Sequence, residues 1–186
     1  MRQLATIHIT TSRVMLNEQP VNVGSAEGKQ MLTSLYKQHV GDYPKFYKMD
    51  PLSQLGFIAS ELLIRSLREP VSEEREDRAI VLVNRSASLA ADARYEETIQ
   101  TGENYFPSPA DFVYTLPNIV TGEIAIRHHY HGETTFLVVE QEAEETLKML
   151  LQQAFLDEMT QSVLGGWLEC SDSDHFEAKL GIWSKE

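Results

Sequence analysis

Thr134-Thr135-Phe136-Leu137-Val138-Val139, running directly into the segment from Glu140 to Met159, decides the class of this protein. The first six residues are a continuous β-prone apolar run, the pattern of a strand covered on both faces of a sheet. In the second segment Leu147, Leu150, Leu151, Ala154 and Phe155 recur at i, i+3, i+4, i+7 and i+8, one stripe of an amphipathic helix. Glu140, Glu142, Glu144 and Glu145 crowd its first turns, where the helix dipole favours negative charge. A buried strand feeding an amphipathic helix is half of a βαβ unit, and the rest of the chain supplies its neighbours.

Ala79 to Val83 (AIVLV) is a second short, continuous apolar run and reads as another buried strand. Between the two, Pro117 to Arg127 predicts a helix with Ile119, Val120, Ile124 and Ala125 as its apolar face and Gly132 as the stop beyond it. Asn118 is expected to cap this helix, and Gly122 to mark a close approach to a neighbour. Upstream, Asp50-Pro51 opens a helix: Asp50 is the cap, proline at the first helical position needs no donor, and Leu55, Ile58, Ala59, Leu62 and Leu63 follow at core spacing until Pro70. Ser25 is expected to cap a helix from Gly28 to Val40 with Met31, Leu32, Leu35 and Tyr36 inward, ended by Gly41-Asp42-Tyr43-Pro44. A further helix is expected around Ala90 to Gln100, in a polar stretch that runs to Gly102, and Phe106-Pro107-Ser108-Pro109 breaks the chain.

The remaining strands alternate. In Leu4 to Thr11 the side chains of Ile7 and Ile9 share one face and His8 takes the other. Val14 to Val23 is a hairpin around Asn17-Glu18-Gln19-Pro20, while Ser162 to Leu168, interrupted by Gly165-Gly166, and Phe176 to Trp183 are the last two strands. Ser72 to Asp77 is a solvated charged connection. Strands alternating with helices predict a single α/β domain over 1–186, a mixed central sheet flanked by helices.

Composition narrows the function classes. With 16 Lys plus Arg against 28 Asp plus Glu, the net charge of −12 argues against nucleic acid and against an anionic membrane surface, both of which need a basic face. The one cysteine, Cys170, excludes an internal disulfide and a multi-cysteine metal site. No apolar run approaches the ~20 residues that span a bilayer. The first residues carry no long apolar stretch or small-residue cleavage site, so the cytoplasm is the expected location.

The segment Ser108 to Val139 resembles the β-ketoacyl synthases of the thiolase-like superfamily: Ser108-Pro109, an apolar stretch, Asn118 and Gly122 as Asn-x-x-x-Gly, the Gly132 turn, and the strand Phe136 to Val139. Lys48-Met49-Asp50 with its helix, Ala79 to Val83, and Val163-Leu164-Gly165-Gly166 are similar to family elements in the same order. The resemblance implies one thiolase-like half, the N-terminal ketosynthase domain, with no cofactor and no metal. It also implies a nucleophilic cysteine where the strand meets the long helix, because a helix N-terminus lowers a thiol's pKa. That position falls on Gln141, or one residue either side at Glu140 or Glu142, and none is cysteine. A carboxamide cannot form an acyl-thioester intermediate. Glutamine there is itself a pattern of chain-length factors and of ketosynthase-like domains that decarboxylate without condensing. The second half, with its two histidines, has no counterpart after Cys170. The acyl-facing positions carried over are Ser88, Leu89, Asn118 and Phe136, and the loop Asn84 to Leu89 (NRSASL) stands where the family has a glycine-rich loop.

The reading that follows is a non-condensing, chain-length-factor-like subunit of fatty-acid or polyketide assembly of the aryl-polyene type, with a full-length ketosynthase or a second copy as partner. Alternatives are a malonyl-thioester decarboxylase, a 3-oxoacyl synthase completed in trans, and a degenerate structural domain. Direct docking of an acidic acyl carrier protein is weakly supported, because Arg65, Arg68, Arg75 and Arg78 are interleaved with Glu69, Glu73, Glu74 and Asp77. Three other features invite chemistry and have plainer accounts. His128, His129 and His131 near Glu133 fit no two-ligand helical spacing and sit where a helix C-terminus favours a cation. Cys170 with His175 lies among Glu169, Asp172 and Asp174, which raise a thiol's pKa and make a structural cysteine the expectation. Trp167 and Trp183 are expected core or interface anchors.

Overall fold

The computed structural model describes residues 1–68, 74–100, 107–142 and 144–185. Seven strands form one mixed sheet in the order β3-β2-β1-β7-β6-β4-β5. They are β1 (Arg2–Thr10), β2 (Val14–Leu16), β3 (Gln19–Pro20), β4 (Arg78–Asn84), β5 (Thr134–Val138), β6 (Ser162–Cys170) and β7 (Phe176–Ser184). β4 runs parallel to β5 and to β6, whereas β7 is antiparallel to both its neighbours, β6 and β1. The hairpin between β2 and β3 turns on Asn17 and Glu18, both at positive φ (49° and 64°), the left-handed pair that suits a two-residue hairpin. The Asn17 side chain accepts from the Thr6 amide at 2.9 Å and pins the turn to β1.

The helices are α1 (Gly28–His39), α2 (Pro51–Ser66), α3 (Leu89–Ile99), α4 (Pro109–Val113), α5 (Ile119–His128) and α6 (Glu144–Ala154), with a 3₁₀ turn at Pro44–Lys48. α2 is the centre. Asp50 caps it as expected, its carboxylate accepting from the Leu52 and Ser53 amides at 3.1 Å each. Every residue from Leu52 to Ile64 is buried, because α2 lies on β1, β6 and β7 and is overlaid by α1 and α5. The main core collects Ile7 and Ile9 of β1, Met31, Leu32 and Leu35 of α1, Leu55, Ile58 and Leu63 of α2, and Ile124 of α5. The other face of the sheet has a small separate core, in which Leu151 and Ala154 of α6 meet Ala79, Val81 and Val163.

Several expectations change. The TTFLVV run is not doubly covered: β5 is an edge strand with only β4 beside it, and Leu137 and Val138 are exposed. An apolar run records a low-dielectric neighbour of some kind, and here no sheet neighbour is present among the described residues. Ser25 does not cap α1, which starts at Gly28 after Glu27 with no side-chain cap. The Pro117–Arg127 helix begins at Ile119; Asn118 precedes it in right-handed helical backbone and makes no capping bond. This helix ends at His129, whose left-handed φ of 54° stops it before Gly132 is reached. The long helix is shorter than its apolar stripe, Glu144–Ala154 rather than Glu140 to Met159. The Pro70 stop, Ser72 and Glu73 of the charged connection, Gly102 and Phe106 lie outside the described residues.

The glycine of close approach is Gly56, not Gly122. A Cβ on Gly56 would sit 2.4 Å from Val120 Cγ2 and 3.0 Å from Leu168 Cδ2, whereas one on Gly122 would meet nothing within 4 Å. Gly56 is where α2 touches α5 and β6 together. Gly56→Ala is therefore expected to lower stability by about 1–3 kcal/mol through overpacking, and Gly122→Ala to raise it by about 0.5–1 kcal/mol through helix propensity. Urea unfolding of the two variants beside the parent measures both; equal midpoints would contradict the assignment.

Candidate functional site

The C-terminal ends of the parallel strands β4, β5 and β6 come to one end of the sheet, where an open α/β sheet offers its binding crevice. β5 turns there into α6. The Val139 amide donates to the Asn84 carbonyl at 2.8 Å, closing the ladder, and Gln141 stands exposed in the turn before Glu144. Its neighbour Glu142 takes a 2.8 Å ion pair from Lys179 of β7, which holds the turn over the sheet.

The loop after β4 is tied shut from within. Asn84 is fully buried; its side-chain amide donates to the Ala87 carbonyl at 2.8 Å and accepts from the Ala87 amide at 3.0 Å, holding Ala87 at a positive φ of 50°. The Arg85 amide donates to Glu169 of β6 at 2.8 Å. Ser88 is buried, and its hydroxyl donates to the Thr115 carbonyl at 2.6 Å. Ser88 thus anchors the chain leading into α5, and its hydroxyl already has a partner. Of the other carried-over positions, Leu89 begins α3 with half its surface exposed, Asn118 is exposed ahead of α5, and Phe136 is half-buried in mid-strand against the main core. Gln141, Ser88 and Leu89 share one end of adjacent strands. Asn118 follows three residues after Thr115, and Phe136 lies further down β5. None of the five lines the clefts of about 840 Å³ beside α1 or about 460 Å³ beside α6.

A buried polar cluster that patterning does not show lies between α2 and α5. Glu61, with no exposed surface, receives Arg127 Nε at 2.5 Å and Arg65 Nε at 2.7 Å. Arg127 also reaches Asp42 at 2.8 Å and lies over the Tyr43 ring. His128 is buried 3.8 Å from Glu61, with neither ring nitrogen hydrogen-bonded, and burial pushes its pKa down to about 4. A second cluster joins Glu123 of α5 to Lys45 at 2.7 Å and to the Tyr114 hydroxyl at 3.3 Å; burial first, then Glu123, raises the Tyr114 pKa. The only sequence signal for either was a charged residue on an otherwise apolar helix face.

The histidines divide. His128 points inward, whereas His129 and His131 meet the Glu74 carboxylate, which they hold below its usual pKa, His131 first. Among the described residues no group of three or more His, Cys, Asp or Glu side chains converges as a metal site. Cys170 is buried; desolvation, followed by Asp50, Asp172 and Glu169, raises its pKa, and its thiol faces the Asp172 carbonyl at 3.2 Å. His175 is paired with Asp172 instead. No described helix is long and apolar enough to cross a membrane.

No protein-family model and no curated protein matches this sequence. Solved structures do match it. The ishigamide ketosynthase/chain length factor superposes with a TM-score of 0.67 at 13% identity, covering 98% of this chain and 61% of its own. The ketosynthase ApeO in complex with its chain length factor ApeC, from Xenorhabdus doucetiae, gives 0.62 at 12%, covering 100% and 79%. AntDE:AntF, a type II polyketide acyl-carrier protein in complex with its ketosynthase bound to the hexaketide, gives 0.63 at 8%, covering 98% and 62%. The fold is that of the thiolase-like ketosynthases and chain length factors, in a single α/β half. This chain spans about three fifths of the length of two of these three structures.

His128 sets a pH dependence. Its folded pKa of about 4 lies below the ordinary 6.5, so the unfolded state takes up the proton first. Its contribution to stability is complete above about pH 6.5 and is lost as the pH falls toward 4, at up to about 1.4 kcal/mol per pH unit. Denaturant unfolding between those limits should show a shallower pH slope in His128→Leu than in the parent; parallel slopes would remove His128 as the cause.

Proposed function

We propose that this chain is a non-condensing, chain-length-factor-like subunit of a polyketide or fatty-acid assembly system, of the aryl-polyene type, and that it works beside a ketosynthase chain. The observation that carries the reading is Gln141: in a ketosynthase fold, a carboxamide stands exposed at the β5–α6 turn. At that position the condensing relatives hold a thiolate, which can displace an acyl group, whereas an amide can only hydrogen-bond to one. Ser88, Leu89, Asn118 and Phe136 are assigned to the acyl side, Ser88 and Leu89 at the same end as Gln141 and Phe136 further down β5, with Ser88 shaping the loop rather than touching the chain.

The partner surface proposed is the β5 edge. The Ile80 amide donates to the Glu133 carbonyl at 2.8 Å and the Val139 amide to Asn84 at 2.8 Å. In a parallel ladder of that phase the even residues, Thr134, Phe136 and Val138, turn their amides and carbonyls to the open edge. β5 carries no charge, proline or bulge, the usual guards of a free edge. Leu137 and Val138 of this strand are among the exposed large apolar side chains. A ketosynthase or a second copy pairing here would cover them; carrier-protein docking gains nothing from this apolar edge.

Two measurements test this. Mixed with an aryl-polyene ketosynthase, the chain should sediment as a stoichiometric complex, and Val138→Lys or Phe136→Pro should weaken it at least tenfold without changing the circular dichroism of the free chain. Alone, it should not elongate an acyl thioester, and Gln141→Ala should leave malonyl-thioester turnover at background. Elongation by the purified chain would overturn the non-condensing role. Turnover by the parent that Gln141→Ala abolishes would replace it with a decarboxylase.

A further inference from the structure

Between Ala91 and Tyr114 no described residue is buried. In α3 Ala91 is the single buried residue, and α4 has none. These two helices hold each other: the Tyr95 and Phe112 rings lie 5.6 Å apart, and Arg94 pairs with Asp111. α2, by contrast, is enclosed from Leu52 to Ile64. A unit with so little buried apolar contact opens at a cost well below that of global unfolding.

Both ends of the unit are fixed at one place. Ser88, buried just before α3, donates its hydroxyl to the carbonyl of Thr115, just after α4, at 2.6 Å. The body grips each end from its own side: the Asn84 amide holds Ala87, and the buried Tyr114 donates to Glu123 of α5 at 3.3 Å. Two attachments tied to each other make one hinge rather than two.

Under α3 lies a cavity of about 310 Å³. Ala90, Ala93 and Arg94 of α3 line it on one side, and Met49, Pro51 and Gln54 at the start of α2 line it on the other. Met49 and Gln54 are buried, so α2 is the floor and the exposed helix α3 the roof. The roof meets this space with the methyl groups of Ala90 and Ala93, too short to key it into the floor. Gln54 donates one N–H to the Phe46 carbonyl at 3.0 Å, which leaves its second N–H and its carbonyl oxygen for an occupant.

We propose that α3 and α4 form a lid, hinged at the Ser88–Thr115 bond, that lifts as one unit and opens the cavity over Met49, Pro51 and Gln54. The Tyr95–Phe112 contact and the Arg94–Asp111 pair travel with the lid, so lifting it leaves them intact. The packing of α2 against α1, α5 and the sheet lies on the far side of the hinge and is untouched. This inference concerns the crevice between α2 and α3 and stands whether or not Gln141 replaces a nucleophile.

The test is native-state hydrogen exchange of the full chain in sub-denaturing urea, read by NMR. The hydrogen-bonded amides of α3 and α4 should exchange through one shared opening, at least tenfold more often than those of α2 and with little dependence on urea. Ser88→Ala should raise that opening at least threefold and leave α2 unchanged. Phe112→Ala, at an exposed position, should split the shared opening into two and again leave α2 unchanged. In a Gln54→Cys chain, alkylation by iodoacetamide should quicken when Ser88→Ala is added, with the buried Cys170 as background. The inference is overturned if α3 and α4 open separately in the parent, if both share the opening of α2, if Ser88→Ala or Phe112→Ala shifts every helix alike, or if Gln54→Cys is alkylated no faster with Ser88→Ala.

Discussion

Enclosing α2 on every side is the constraint on which the rest depends. Thirteen consecutive residues, Leu52 to Ile64, lose contact with water, so each must find a partner of matching chemistry. The apolar ones meet β1, β6, β7, α1 and α5. Gly56 exists so that α5 can approach, and a methyl group there would displace Val120. Glu61 cannot meet an apolar neighbour as an ion without a large desolvation cost, so Arg65 and Arg127 converge on it. That convergence fixes how α5 lies on α2, with His128 beside it.

The position of α5 then carries through to the end of the sheet where chemistry is expected. α5 leads into β5, and β5 into the Gln141 turn. The segment before α5 is held to the loop after β4 by the Ser88 bond to Thr115, and that loop is held to β5 through Asn84 and Val139. The candidate site is thus the far end of a chain of packing constraints that starts in the interior. Its outer parts, Gln141 and Leu89, are exposed, whereas Asn84 and Ser88 are buried.

Among the described residues the same arrangement leaves two surfaces uncovered. One is the free edge of β5, neutral and apolar. The other is the strip over β7 and β1, walled by Leu147, Met15 and Trp183 with Thr6, His8 and Lys179 on its floor. They differ in kind: the first presents unpaired backbone groups along a sheet edge, the second a walled cleft on a sheet face.

The alternation of strands and helices, the α2 cap at Asp50, the inward face of β1 and the stripe of α6 were all legible in the sequence, because each rests on local periodicity or on a bond between residues a few positions apart. The passage from β5 to α6 was legible for the same reason, although the helix starts at Glu144 and leaves Gln141 in the turn before it. The edge position of β5, the choice of Gly56 over Gly122 as the tight contact, and the pairing of Glu61 with Arg127 were not. Each is a relation between segments far apart in the chain, and an apolar run, a glycine or a charge looks the same in sequence whichever neighbour it meets. Only the order of strands in the sheet decides that β5 has one neighbour and β4 two, and only the packing of α5 on α2 decides which charges share the interior.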